Sequence, residues 1–207
     1  MGTLFINKDL NSVFLHLNSD KIKKKPVESF LTAEEIHDYK KIISESRKNE
    51  FIAIRTLLYN YYNHKGELYY SNKKPKLKNK SYISISHKKE HVIVATNLKN
   101  QIGIDVEKID EKIISLKNKF CSENEIKQKW KTSDLIEEKE FLTMLWCAKE
   151  ATYKCLENQE NIFLNNINVS LSNCIEGESN VGTDFYRLMF FKIDKDYVLC
   201  HAEKKII

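Results

Sequence analysis

Several side chains in this sequence are spaced for metal or phosphate chemistry. The stretch "QIGIDVEKI", residues 101–109, sets Asp105 and Glu107 among apolar, β-branched neighbours. A strand alternates its side chains between two faces, so Gly103, Asp105, Glu107 and Ile109 share one face, and Ile102, Ile104, Val106 and Lys108 the other. Residues two apart on a strand are separated by roughly 6.5–7 Å, close enough for both carboxylates to converge on one cation. Hard oxygen ligands of this kind suit Mg²⁺, which keeps several waters and takes the rest of its shell from substrate phosphates. The plainer alternative is an exposed face whose acids guard a sheet edge.

Three further groupings bear on the same chemistry. In "LWCAKEATYKCL", residues 145–156, Glu150 and Lys154 stand at i and i+4 of a helix, with Trp146 one turn earlier. That joins a third carboxylate to a cation, although an exposed pair of this type is worth only a few tenths of a kcal/mol. "SISH", residues 84–87, ends a strand pattern on Ser86 and His87, both able to donate to a phosphate together with the lysines of "KKPK" at 73–76. Arg47, Lys48 and Arg55 lie in a helical pattern, as basic contacts or as a solvated face.

The elements that must position these groups follow from periodicity and caps. Thr32 with Glu35 three residues on reads as a capping box that opens a helical region, and the stripe Ile54, Leu58, Tyr61 or Tyr62 predicts a second helix from Phe51. The lysine-rich stretch around Pro75 breaks periodicity as a loop does. "YISISH", "HVIVAT" and "QIGIDVEKI" predict three strands joined by short polar links, expected to pair as an antiparallel meander. Helical patterns follow, with Ser122 and Glu125 as another capping box and a longer helix over "EEKEFLTMLWCAKEATYKCLE". "INVSL", "FYRLMFFKI" and "YVLCHAE" return to strands, around a polar loop near Gly177 and Gly182. The order predicts an α+β fold, with helix-then-meander occurring twice.

Composition narrows the setting. With 207 residues, 42% hydrophobic and 30% charged, the chain can build one substantial core or two small lobes. No apolar run approaches the roughly 18 residues that a membrane span requires, and the start lacks the basic-then-apolar layout of a secretory signal, so a cytoplasmic protein with no membrane attachment is expected. Five scattered cysteines without a Cys-x-x-Cys pair predict reduced, mostly buried thiols. A net charge of +5 favours acidic partners, and lysines cluster at 20–26 and 71–80.

Taken in order, "KKP" (73–75), "SISH" (84–87), "GIDVE" (103–107), "KFCSENE" (119–125) and "WCAKEATYK" (146–154) resemble the 4′-phosphopantetheinyl transferases of the surfactin-synthetase-activating type. The family pattern is G-[IV]-D-[IVL]-E followed by W-[ST]-x-K-E-[AS]-x-x-K, preceded by a Ser-His pair and a Gly-Lys-Pro. The resemblance implies two similar lobes related by a pseudo-twofold axis, each an antiparallel sheet packed with helices: an N-terminal lobe over 1–100, and a C-terminal lobe over 101–207 carrying the metal site, with coenzyme A in the cleft between. It implies Mg²⁺, with Mn²⁺ as a substitute, on Asp105, Glu107 and Glu150 and on the pyrophosphate of coenzyme A. Lys154, Ser86 and His87 match phosphate-binding positions, Lys74 and Pro75 the adenine-side segment, and Arg47 and Arg55 basic contacts from the first lobe. The acceptor would be a serine hydroxyl on an acidic apo-carrier protein, deprotonated by Glu150 or a polarised water with Glu125 as helper, and a monomer would suffice. Three positions depart from the pattern: Lys73 replaces a glycine, Lys88 a small residue, and Cys147 a Ser or Thr.

Two other readings remain. A metal-dependent nuclease or phosphohydrolase also gathers carboxylates and a lysine around phosphate, but its Glu-x-Lys needs one strand face, whereas Lys108 directly follows Glu107 and points away. A basic nucleic-acid-binding module would explain the lysines and not the acids, and no nucleic-acid motif is recognisable, so no nucleic-acid partner is expected.

Overall fold

The structure is a computed structural model that describes residues 3–7, 12–18, 26, 29–128 and 136–206. The lysines at 20–25 lie outside the described residues. The chain divides into two compact units, Met1–Lys99 and Asn100–Ile207. Both hold an antiparallel sheet flanked by helices, an α+β architecture. Among the described residues no helix is long and apolar enough to cross a membrane.

In the first unit, β1 (Thr3–Asn7) and β2 (Ser12–Asn18) form a hairpin. Helices α1 (Ala33–Lys41) and α2 (Glu45–Tyr62) follow, then a small hairpin of β3 (Leu68–Ser71) and β4 (Lys74–Leu77), then β5 (Tyr82–Lys88) and β6 (His91–Asn97). The sheet order is β1-β2-β6-β5. The expected capping box opens α1: the Thr32 side chain accepts from the Glu35 amide, and Glu35 accepts from the Thr32 amide. Helix α2 buries Ala53, Ile54, Leu57 and Leu58 in one cluster with Val92 and Val94 of β6.

The second unit contains β7 (Ile102–Lys108), α3 (Lys112–Phe120), α4 (Glu123–Lys127), α5 (Glu138–Cys155), a 3-10 turn at Leu164–Asn166, and strands β8 (Asn168–Leu171), β9 (Glu176–Val181), β10 (Asp184–Asp194) and β11 (Tyr197–Lys204). Its sheet runs β7-β11-β10-β9-β8. Ser122 and Glu125 form the second expected capping box. Helix α5 is buried around much of its circumference, with Phe141, Leu145, Ala148 and Ala151 in the core of this unit.

Three expectations about the strands are corrected. The meander of β5, β6 and β7 does not form: β5 pairs with β6, but β7 pairs with β11 in the other sheet. The reason is edge occupancy, because the N-terminal hairpin already lies along the second side of β6, with Ser12–Asn18 opposite His91–Asn97. The polar loop around Gly177 is strand β9. Its glycine marks close approach rather than a turn, since a Cβ there would lie 2.6 Å from the Ser170 carbonyl oxygen in β8.

The lysine-rich loop is likewise the β3–β4 ribbon. Asn72 and Lys73 form its two-residue turn, at φ 50° and 64°. A two-residue turn with both φ values positive is the mirror-image type that suits a twisted hairpin and favours glycine at its second position. This gives a physical reason for the glycine of the family pattern at the position of Lys73. Lys73→Gly is therefore expected to raise stability by up to about 1 kcal/mol, by removing the left-handed penalty on a residue with a Cβ. A thermal melt checks this, and an unchanged or lower midpoint would contradict it.

Candidate active site

Strand β7 presents its acidic residues to a helix rather than to an open face. It is buried from Ile102 to Val106 and partly exposed at Glu107 and Lys108. A Cβ added at Gly103 would fall 2.0 Å from the Ala151 carbonyl oxygen and 2.6 Å from the Cys155 amide nitrogen, both in α5. Gly103 thus lets the last turns of α5 lie directly on the strand, on the face that Asp105 and Glu107 share with it. Gly103→Ala must push helix from strand, and a cost of about 1–3 kcal/mol is expected in urea unfolding. Wild-type stability would mean that the helix can retreat freely.

The close approach brings two of the expected residues together. Asp105 is 5% exposed. The ammonium of Lys154, whose side chain is 30% exposed, stands 2.6 Å from Asp105 Oδ1. Cys147 ties the same helix to the same strand, its thiol donating to the Asp105 carbonyl oxygen at 2.9 Å and reaching the Val198 carbonyl oxygen of β11 at 3.6 Å. Burial pushes the Cys147 thiol well above its ordinary pKa, so it stays protonated as a donor. This accounts for the departure from Ser or Thr: a thiol supplies the short donor that a hydroxyl would. The other four cysteines are likewise not in disulfides: Cys155 and Cys200 are buried, the Cys121 thiol is pushed up to about 12 chiefly by burial, and Cys174 is exposed.

Glu125 and Lys149 form a second constellation in this unit. Glu125 is buried, and its carboxylate accepts from the Ser122 amide at 2.8 Å, the Val169 amide at 2.9 Å and Lys149 Nζ at 2.9 Å. Lys149, only 1% exposed, also donates to the carbonyl oxygens of Leu164 and Ile167 at 3.2 and 2.7 Å. The group ties α4, α5, the 3-10 turn and β8 to one another. Glu125, expected as a helper in proton transfer, is here occupied as a structural anchor. Any proton-transfer role would require it to leave these partners. Lys149 is the residue that sequence reasoning missed. The available signal was its place on α5 between Leu145 and Thr152, positions that both turn out to be buried.

In the first unit, Lys74 and Pro75 are half-buried in β4, and Arg47 is exposed in the first turn of α2. Ser86 is buried in β5. His87 next to it is partly exposed, and its Nδ1 is 3.4 Å from Glu50 Oε1 of α2. Arg55, expected to contact coenzyme, is paired within the first unit. It is buried, its Nε donates to Glu35 Oε1 at 3.1 Å, and its guanidinium carbon lies 3.3 Å from the centroid of the Phe51 ring. Burial lowers its pKa, against the opposing pull of Glu35. Its charge is neutralised inside the unit, where it links α1 to α2.

The donor set suits a hard divalent cation. Asp105 is already placed to hold a positive charge, here that of Lys154, and Glu107 lies two residues along the same face. Among the described residues no three His, Cys, Asp or Glu side chains already form a cage. Magnesium commonly needs only one or two protein carboxylates, completed by water and substrate phosphate.

Residues 101–202 match the family model of the 4′-phosphopantetheinyl transferase superfamily. The match spans about half of the chain and supports membership of that superfamily. The match supports a reaction of the general phosphopantetheinyl-transfer type. It includes Asp105, Glu107, Glu125, Glu150 and Lys154, all placed in the second unit. The Lys-Pro and Ser-His residues of the first unit lie outside the matched segment. No curated protein matches the chain.

Proposed function

We propose that the protein transfers the 4′-phosphopantetheine arm of coenzyme A to a serine hydroxyl of an acidic apo-carrier protein, yielding the holo-carrier and 3′,5′-ADP. On this reading the chain is a transferase of the two-lobed, surfactin-synthetase-activating type. The observation that carries the reading is the Asp105–Lys154 pair at 2.6 Å, which sits within the segment matching the superfamily. It joins an acid suited to a cation with an ammonium suited to a phosphate oxygen. The presence of an antiparallel sheet in both units also fits the two-lobed type.

Asp105, Glu107 and Glu150 would hold Mg²⁺, with Mn²⁺ as a substitute. When bound, the metal supplies charge neutralisation to the pyrophosphate of coenzyme A. The serine oxygen attacks the phosphorus next to the pantetheine arm; the new P–O bond forms as the bond to the 3′,5′-ADP oxygen breaks. Lys154, turned from Asp105 toward the substrate, would donate to the phosphate oxygens, where negative charge accumulates. Ser86 and His87 offer further donors, and Lys74 and Pro75 border the adenine. Glu150 accepts the serine proton. A net charge of +5 favours encounter with acidic carriers. We further propose that the protein acts in the cytoplasm as a monomer.

The test is to incubate the purified chain with coenzyme A, Mg²⁺ and a panel of apo-carriers, and to measure intact carrier mass. A phosphopantetheine adduct is expected on at least one carrier. Its absence from all of them would sink the reading.

A further inference from the structure

We propose that Glu50 is a positioning residue for coenzyme binding: its carboxylate takes the Nδ1 side of His87 and orients the ring, so that Nε2 is the nitrogen that meets a coenzyme phosphate. This rests on the transferase reading above. The two residues belong to different elements of the first unit, Glu50 to α2 and His87 to β5, and lie 37 positions apart in sequence. Glu50 Oε1 stands 3.4 Å from His87 Nδ1, with the Glu50 side chain 18% exposed and that of His87 45% exposed. The same oxygen accepts from Ser46 Oγ, one helical turn earlier, at 3.5 Å. The carboxylate is thus mostly covered while the imidazole retains an accessible side.

Proton counting gives the contact its meaning. A neutral imidazole carries one N–H, whereas Glu50 on Nδ1 and a phosphate on Nε2 are both acceptors at neutral pH. The neutral ring can donate to only one of them, leaving a lone pair facing negative charge at the other. Only the imidazolium donates to both, and charge-assisted donation to phosphate is roughly twice as strong as neutral donation. With Glu50 on one nitrogen and a phosphate on the other, two acceptors flank the ring, and the form that satisfies both is the one with two N–H groups. This is how a fixed partner commonly selects the useful form of a histidine.

Binding of coenzyme A to the full chain in Mg²⁺ buffer, measured by titration calorimetry, tests this with four proteins: wild type, Glu50→Gln, His87→Ala and the double variant. Glutamine keeps the shape of the side chain and can accept or donate, so the neutral ring suffices beside it. Glu50→Gln is expected to weaken coenzyme A about five-fold or more, and His87→Ala by at least as much. The double variant should bind no more weakly than His87→Ala alone, because residues acting through one contact are not additive. A merely structural role for Glu50 would instead weaken binding by the same factor in both backgrounds. That result would overturn the proposal, as would wild-type affinity in Glu50→Gln. If the wild type itself did not bind coenzyme A, the transferase reading would fall first and this inference with it, a failure distinguishable from the other two.

Discussion

Lys149→Met is expected to destabilise the second unit by about 3–5 kcal/mol, the usual cost of removing one partner from a buried ion pair. Methionine is close in length and fills the channel that the lysine stem occupies, so the loss is electrostatic rather than one of packing. What remains is a buried Glu125 carboxylate with only the Ser122 and Val169 amides for company, and the carbonyl oxygens of Leu164 and Ile167 deprived of their ammonium donor. Urea unfolding followed by circular dichroism should show a lower midpoint for this unit with little change in slope. A loss below about 1 kcal/mol would mean that water already reaches the carboxylate. Adding Glu125→Met should recover only part of the loss. That change removes the stranded charge, but also the acceptor that caps α4 and holds the start of β8.

Asp105→Asn is expected to separate activity from stability in the opposite sense. Carrier modification should fall by about 10²–10³-fold or more, on the scale of losing one preorganised electrostatic group, while the fold persists. The substitution keeps the shape of the side chain. The ladder with β11 and the thiol bond from Cys147 both use the main chain of Asp105, so they survive. Lys154, 30% exposed, can turn its ammonium to water and is not left as a buried charge. The melting temperature should therefore move by only a few degrees, a shift of about 1 kcal/mol or less for a chain this size. The comparison is the rate of carrier mass gain beside a thermal melt. Normal turnover would remove Asp105 from the reaction, and an unfolded variant would make it a structural acid.

Local signals in the sequence were reliable wherever the deciding partner was close by. Both capping boxes link residues three apart, and both form as the pattern of Thr or Ser with Glu requires. Strand β7 and the face that Gly103, Asp105 and Glu107 share on it were legible for the same reason, since alternation depends only on neighbours. What failed depended on distant competitors. Whether β7 joins β6 is decided by a hairpin about eighty residues upstream, and the ion pair of Glu125 rests on a lysine in another helix. Charge and helical position locate the Arg55 guanidinium on a helix without saying that Glu35 waits in the preceding one. The β3–β4 ribbon was hidden because lysine, proline and asparagine suppress the strand pattern, while cross-strand Leu68 and Leu77 alone anchor its buried side.

The pairing of β7 with β11 also affects when the site can exist. Asp105 and Glu107 leave the ribosome early, on a strand whose ladder neighbour, Tyr197–Lys204, is translated after every other strand in that sheet. Until it arrives, neither hydrogen-bonding edge of the acidic strand is paired within that sheet, whereas the finished sheet pairs one of them, and chains stopped short of residue 197 never do so. Pairing of the acidic strand is thus coupled to translation of the second unit as far as β11, and truncated products would differ from the complete chain by a second unpaired edge on β7 that chaperones and proteases can recognise.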